Sequence, residues 1–379
     1  MDAIQQYLTA HQHDIVELIR TFVECESPSD DSAAVDRFVD LVSDTVTSFA
    51  EIQTFRGGRF GRTLVCRMHL PGGANGQMLA LGHSDTVWQL GTLATMPFRQ
   101  ENGRLWGPGV LDMKSGIAFF IFAVRALRDL RIPAPSKVVL QLNPDEEVGS
   151  EASRELTEAN AMASKAVLVL EPGTGITGKL KTARKGVGDY TISVRGVASH
   201  AGVDFAAGAS AILELARQIN HIASFSEVKR GITVNPGLIT GGTRSNVVAA
   251  EARAVVDIRV PKLKDAPRLE KRFRSLRPFD SRCSIEVSGG LNRPPMERTP
   301  EIIRLYQKAE SLAREMNVKL EESATGGGSD GNFTAALGIP TLDGLGGVGE
   351  GAHAANESIL VDRIVDRTAL IAKLLSADL

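Results

Sequence analysis

"GVGDYTISVRGV", Gly186 to Val197, alternates small or apolar residues with polar ones at a period of two, as a strand with one buried face does. The next hundred residues decide the fold. "AGASAILELARQINHIASF" (207–225) has helical spacing, and "GITVNPGLITG" (231–241) and "NVVAAEARAVVDIRV" (246–260) read as two more strands. "DAPRLEKRFRSLRPF" (265–279) is a second helix and "CSIEVSGGL" (283–291) a last strand. The order β-α-β-β-α-β is that of a ferredoxin-like unit, complete in about a hundred residues, a sensible size for a small domain.

Outward from this unit the rhythm is different. Upstream, "TLVCRMHL" (63–70), "QMLALGHSDTV" (77–87), "SKVVLQLNPDEE" (136–147) and "KAVLVLEPG" (165–173) read as strands. They are separated by the helical patterns "SGIAFFIFAVRALRDL" (115–130) and "EASRELTEANAM" (151–162). Buried strands alternating with helices predict a layered α/β sheet. Downstream the α/β pattern resumes with "EIIRLYQKAESLAREM" (301–316), "VKLEES" (318–323), a glycine-rich turn, "IPTLDGLG" (339–346) and a closing helix from about Glu357. The expected organisation is an α/β catalytic domain in two segments, 1–184 and 294–379, interrupted by an inserted ferredoxin-like α+β domain, 185–293.

Composition narrows the chemistry. In 379 residues, 43 Lys+Arg against 45 Asp+Glu give a net charge of -2 with no basic tail, which argues against nucleic acid as a partner. The opening "MDAIQQYLTAHQHDIVELIRTFVECESPS" has no basic start with an apolar core, and no run is long enough to span a membrane, so a cytoplasmic protein is expected. The three cysteines, Cys25, Cys66 and Cys283, are far apart and odd in number, which leaves neither a disulfide framework nor a thiolate cage. Any metal must be held by His and carboxylate.

Such residues stand where strands of the α/β part end, which is where open sheets bind ligands. His83 and Asp85 are two apart and share a face if the strand persists, so Asp85 can accept the second ring N–H of His83. Asp112 precedes a long apolar helix, where it is either a ligand or a helix cap. Asp145, Glu146 and Glu147 stand in a row after an apolar run; with an extended backbone, Glu146 and Glu147 point to opposite sides and serve different partners. Glu171 closes a strand before a Pro-Gly turn, and His353 lies in a glycine-rich loop. Two His, one Asp and two Glu form an N/O set suited to a pair of borderline divalent ions. An aspartate between two ions offsets their repulsion, and the ions acidify a water they share. On this reading Glu147 is a ligand and Glu146 the base beside that water.

At this point eight ordered motifs carry a resemblance. "GHSDTVW" (82–88), "GPGVLDMKSG" (107–116), "DEEVGS" (145–150), "LEPG" (170–173), "GVASHAG" (196–202), "GGTRSNVV" (241–248), "TGGGSDG" (325–331) and "GAHAANE" (351–357) resemble the co-catalytic dizinc peptidases of family M-twenty. The resemblance covers nearly the whole chain. It is nearest to folate-cleaving glutamate carboxypeptidases, with acetylornithine deacetylase and aminoacylase more distant. It implies one ion held by His83 and Glu171, a second by Glu147 and His353, Asp112 bridging, Asp85 orienting the metal histidine and Glu146 as general base. The ions implied are Zn, with Co or Mn as alternatives. It further implies that His200, Asn246 and Arg259 handle the oxyanion and the C-terminal carboxylate of the substrate, and that the inserted domain forms a two-fold homodimer. The guanidinium fork of Arg259 matches a carboxylate, although a surface-paired strand arginine is the plainer reading. Gly326 to Gly328 either bring the backbone close to a substrate carboxylate, with Gly328 at that approach, or form a turn. After the bridging aspartate this chain has Met113, where the glutamate carboxypeptidase pattern has an acid and the deacetylase branch has Met.

The expected function is therefore hydrolysis of an amide to release an amino acid with a free α-carboxylate, of a glutamate carboxypeptidase type, or else of an N-acyl amino acid deacylase or dipeptidase type. Two remoter readings are a non-catalytic binding protein on the same scaffold and a nucleotide-dependent oxidoreductase. The oxidoreductase would use "GLGGVG" (344–349), which fits G-x-G-x-x-G but lacks the second strand of a βαβ unit.

Overall fold

A computed structural model describes residues 2–378. The chain divides into two compact units, one of residues 1–183, 298–325 and 329–379, the other of residues 184–297 with 326–328.

The first unit is built on a six-stranded mixed sheet. Its strands are β1 (Ala50–Arg56), β2 (Arg62–Met68), β3 (Gln77–His83), β4 (Lys137–Asn143) and β5 (Ala166–Val169), completed by the short strand Thr341–Leu342. Their spatial order is β1, β2, β4, β3, β5 and then Thr341–Leu342. β3 runs parallel to both β4 and β5, whereas β1 and β2 add an antiparallel edge. In this register His83 lies beside Asn143, and Leu81 beside Val169. The carboxyl ends of three neighbouring parallel strands thus open on one edge, where His83 ends β3, Glu146 with Glu147 follow β4, and Glu171 follows β5. The helix Ser115–Asp129 is apolar nearly all round and correspondingly buried, from Ile117 to Val124 without a break. It packs against the helix Ile364–Ser376. Among the described residues no helix is long and apolar enough to cross a membrane.

The second unit has four antiparallel strands, β6 (Gly186–Arg195), β7 (Thr233–Gly241), β8 (Glu251–Val260) and β9 (Ser284–Arg293), in the order β7, β8, β6, β9. Helices Ala211–Ala223 and Ala266–Arg274 supply the apolar residues that cover one face. Tyr190 on β6 stacks on Phe273 with ring centroids 3.9 Å apart. The connectivity and strand order are those of a ferredoxin-like sheet. β7 and β9 are its edges, and β7 exposes Leu238 (67%) and Ile239 (58%).

Three expectations change. No helix starts near Glu357: Ser358–Leu360 pairs with Arg104–Trp106, and the helix begins at Ile364. Glu146 and Glu147 are not extended but lie in a single 3-10 turn, Glu146–Val148, closed by Gly149 in a left-handed conformation (φ 105°). Gly326–Gly328 group with the ferredoxin-like unit, because their carbonyls accept hydrogen bonds from Arg184 and Arg259.

Candidate metal centre

The acidic triplet after β4 is split three ways. Asp145 turns inward, fully buried, and accepts Ser153 Oγ at 2.5 Å and Ala152 N–H at 2.7 Å. Burial pushes its pKa up, with Asp330 and Asp85 adding to the rise and its hydrogen bonds opposing it. Glu146 shares a cluster with His83 and Glu171, in which one ligand atom of each lies within 4.8 Å of the others. Glu147 belongs with His83 and Asp112 in a second such cluster. The two adjacent residues thus share His83 and differ in their second neighbour, Glu171 for Glu146 and Asp112 for Glu147, across a tight turn rather than an extended chain.

His83 is 2% exposed, and its Nδ1 lies 2.9 Å from the carbonyl oxygen of Asp85. The Asp85 carboxylate is farther away, at 3.5 Å. That carboxylate mainly holds the acidic turn: it accepts Glu146 N–H and Glu147 N–H, both at 3.2 Å, and Ser29 Oγ at 2.7 Å. With Nδ1–H given to the carbonyl, His83 Nε2 presents a lone pair to Asp112 Oδ1 at 3.2 Å and Glu171 Oε1 at 3.5 Å. The other oxygen of Asp112 lies 3.3 Å from His353 Nε2, and Glu147 Oε1 lies 3.2 Å from the same nitrogen. Asp112 therefore sits between the two histidines with one oxygen toward each. It is not a helix cap: the following helix has no side-chain cap, and the backbone leaves helical geometry at Asp112 and Met113.

Electrostatics explains what this cluster needs. Burial opposes protonation of His83, yet the carboxylates of Asp112, Asp85 and Glu171 raise its pKa well above the ordinary value. His353 is pushed up to about 10 by Asp112 and Glu147. Burial favours the neutral form of Asp112, but His353 and His83 hold its carboxyl far below the usual range. Burial pushes Glu147 up and the neighbouring His353 opposes the rise. Acceptors converging on acceptors are stable only with cations between them, either protons on the imidazoles or metal ions. Oxygen and imidazole donors with no thiolate fit borderline divalent ions.

Several residues that hold this arrangement are not evident from the sequence. Glu357, fully buried, accepts Trp88 Nε1–H at 2.7 Å and the backbone N–H groups of Gly109, Leu111 and Asp112 at 2.9, 2.8 and 3.0 Å. Arg367 is 1% exposed and donates to the carbonyls of Gly344, Gly346 and Gly178. The loop it grips is paired with the segment of Glu171, through Gly346 N–H to Glu171 O and Gly173 N–H to Gly347 O. In "GLGGVG" the N–H groups of Leu345 and Gly346 are spent on the carbonyls of Val169 and Glu171 and no helix opens after it, unlike a phosphate-binding turn. Met113 is buried in the main core, its Sδ 3.3 Å from His83 N and its methyl against Gly82. The departure from an acid at this position therefore supports the end of β3.

In the second unit, His200 is exposed and pairs in a backbone bridge with Val247, next to Asn246, whose carbonyl accepts Ala201 N–H at 2.9 Å. His200 Nδ1 accepts Gly202 N–H at 3.1 Å, so the neutral ring carries its proton on Nε2. Arg259 is already paired: Nε and Nη2 bind the two oxygens of Asp257 at 3.0 and 2.7 Å, and Nη1 reaches Gly326 O at 3.3 Å. Gly328 has no space for a side chain, since a Cβ would lie 2.9 Å from Val187 Cγ2.

A mixed α/β sheet whose strand ends meet loops carrying further imidazole and carboxylate groups is the arrangement of a metal-dependent hydrolase. Residues 79–377 match peptidase family M20/M25/M40, and the chain belongs to that family of hydrolytic enzymes. It is similar to carboxypeptidase G2 of Pseudomonas sp. (strain RS-16), 27% identical over 98% of this chain and 90% of that protein. Succinyl-diaminopimelate desuccinylase of Cereibacter sphaeroides is 28% identical over 80% of this chain and 83% of its own length. Among solved structures, aminopeptidase PepT of Bacillus cereus superposes with a TM-score of 0.80 at 20% identity, over 96% of this chain and 98% of that one, a likeness of fold.

Proposed function

We propose that this enzyme is a dizinc amidohydrolase that releases an amino acid with a free α-carboxylate, as a glutamate-type carboxypeptidase. The observation that carries the proposal is Asp112, with one oxygen facing His83 and the other facing His353. Its assigned role is to bridge two divalent ions, one held by His83 and Glu171, the other by Glu147 and His353. Zinc suits this donor set, and Co or Mn are the alternatives. When bound, such a pair supplies Lewis acidity that polarises the scissile carbonyl and acidifies the attacking water.

The chain's own residues do the rest. Glu146, 9% exposed beside His83 and Glu171, takes a proton from the attacking water and gives it to the departing amine nitrogen. The C–O bond forms first, giving the oxyanion, and the C–N bond breaks once the departing nitrogen has received that proton. Asp85 fixes His83 through its carbonyl and the Glu146–Glu147 turn through its carboxylate. His200, a donor at Nε2, stabilises the oxyanion, and Asn246 beside it contributes to the same contact. Arg259 receives the substrate α-carboxylate on the edge that Asp257 leaves open, next to the backbone at Gly326–Gly328.

The ferredoxin-like unit serves as lid and as two-fold dimer contact. Support comes from the edge position of β7, its exposed Leu238 and Ile239, and Leu213 (59% exposed) on the adjacent helix. In that dimer His200 acts on the active site of the other protomer. The likeness to carboxypeptidase G2 supports the glutamate-type reading, and that to succinyl-diaminopimelate desuccinylase supports an N-acyl amino acid deacylase as the second. A ninhydrin screen of N-acyl-glutamates, other N-acyl amino acids and dipeptides, with metal analysis of protein purified without added ions, tests both. Release of free amino acid from none of them would refute the proposal.

A further inference from the structure

Glu357 is a buried group that ties together three of the segments carrying the metal-site residues. Its Oε2 accepts Trp88 Nε1–H and Gly109 N–H, and its Oε1 accepts Leu111 N–H and Asp112 N–H. Trp88 belongs to the loop that leaves His83, Gly109–Asp112 is the turn that delivers the Asp112 carboxylate, and Glu357 itself is four residues beyond His353. The side chain of Asp112 must reach two histidines at once, yet it sits in a single π-type turn, Val110–Lys114, whose backbone leaves helical geometry at Asp112 and Met113, so no regular ladder fixes it there. A carboxylate that collects two of this turn's consecutive N–H groups, and a third from Gly109, replaces that ladder.

We propose that Glu357 is a positioning residue for the metal centre, setting the place of the Asp112 carboxylate between His83 and His353 and thereby the affinity for divalent ions. The proposal rests on the metal-hydrolase reading above and adds to it a residue that touches neither ion nor substrate. An acceptor with two oxygens and four N–H donors is fully matched; an amide of the same shape is not. In Glu357→Gln one oxygen becomes an NH2 group, so whichever way the amide turns, two of the four donors face another donor. The turn must then shift to find other acceptors, and Asp112 moves with it.

The test is titration of metal-free full-length protein with Zn2+ against a competing chelator, together with thermal melting with and without Zn2+. Loss of a partner that orients ligands in this way weakens metal binding about 10- to 100-fold, which is the expected result for Glu357→Gln. The rise in melting temperature on adding Zn2+ should shrink accordingly. A role in stability alone would lower both melting temperatures equally and leave the Zn2+ affinity unchanged, and that result overturns the proposal. Should Glu357→Gln fail to fold, Trp88→Phe decides, since it removes one of the four donors and keeps the carboxylate. Weaker Zn2+ binding then supports the proposal and unchanged binding overturns it. If the wild-type protein bound no divalent ion, the metal-hydrolase reading itself would fall, an outcome distinct from wild type binding Zn2+ no better than the variant.

Discussion

Replacing Gly346 by alanine isolates how the glycine-rich loop supports the site. A Cβ built there would lie 2.2 Å from Leu170 O and 3.0 Å from Glu171 O. Carbon and carbonyl oxygen meet at about 3.3–3.6 Å, so the loop and the Glu171 segment must separate by about 1 Å. Neither side can yield freely. Gly346 N–H is bonded to Glu171 O at 2.8 Å, and the carbonyls of Gly344 and Gly346 are gripped by the buried Arg367. Overpacking of this kind costs about 1–3 kcal/mol, and losing the backbone hydrogen bond about 1 kcal/mol more. A displacement of about 1 Å at a reacting group typically lowers rate about hundredfold. Gly346→Ala is therefore expected to lose about 2–4 kcal/mol in urea unfolding of the metal-free protein and about two orders of magnitude in kcat/KM. A variant with unchanged unfolding free energy and kcat/KM would show that the close approach of the two backbones carries no weight.

Other outcomes rest on the same geometry. Glu146→Gln should retain both metals while turnover falls about a hundredfold or more, as measured by metal analysis and kcat; loss of metal would mean that Glu146 and Glu147 have exchanged roles. Asp112→Ala should lower occupancy at both positions, and full retention of one ion per chain would exclude bridging. Arg259→Ala should harm substrates with a free α-carboxylate more than their amides, and equal losses would leave Arg259 as a partner of Asp257 only. Mixing inactive His200→Ala and Glu146→Ala proteins under subunit exchange should restore about a quarter of wild-type activity if His200 acts across the dimer, because half of randomly paired dimers are hybrids with one intact site. No recovery, with exchange verified, would assign His200 to its own chain.

The legible parts were those with a local signature. The helix Ser115–Asp129 announces itself by an apolar run, and β3, β4 and β5 by short buried stretches that stop at polar residues. His83, Asp112, Glu146, Glu147, Glu171 and His353 could be collected because they stand at such stops or in glycine-rich loops. β1 was not legible: six of its seven residues are exposed or half-buried, so no alternation marks it. Nor was the strand Ser358–Leu360, which is defined by pairing with Arg104–Trp106, far away in sequence. Glu357 looks like an ordinary acid ahead of an apolar segment; it is distinguished by the set of donors arriving from Trp88 and residues 109–112. For Asp85 the residue was legible but not the atom, because which oxygen meets His83 depends on where the chain turns after β3.

The bond from Trp88 to Glu357 spans 269 residues, and that from Asp112 N–H to Glu357 spans 245. Closing so long a loop adds little to its thermodynamic cost, since each doubling costs only about 0.6 kcal/mol, but it fixes an order of events. At about 5–20 residues per second, a ribosome needs roughly 12 to 50 seconds to pass from Asp112 to Glu357. Through that interval the emerging chain can pair β3, β4 and β5 and expose His83, Glu147 and Glu171 at their ends, while His353 does not yet exist. The proposed partners of the first ion are thus synthesised well before the last ligand of the second. Chain order alone gives the two positions different ages in a newly made molecule.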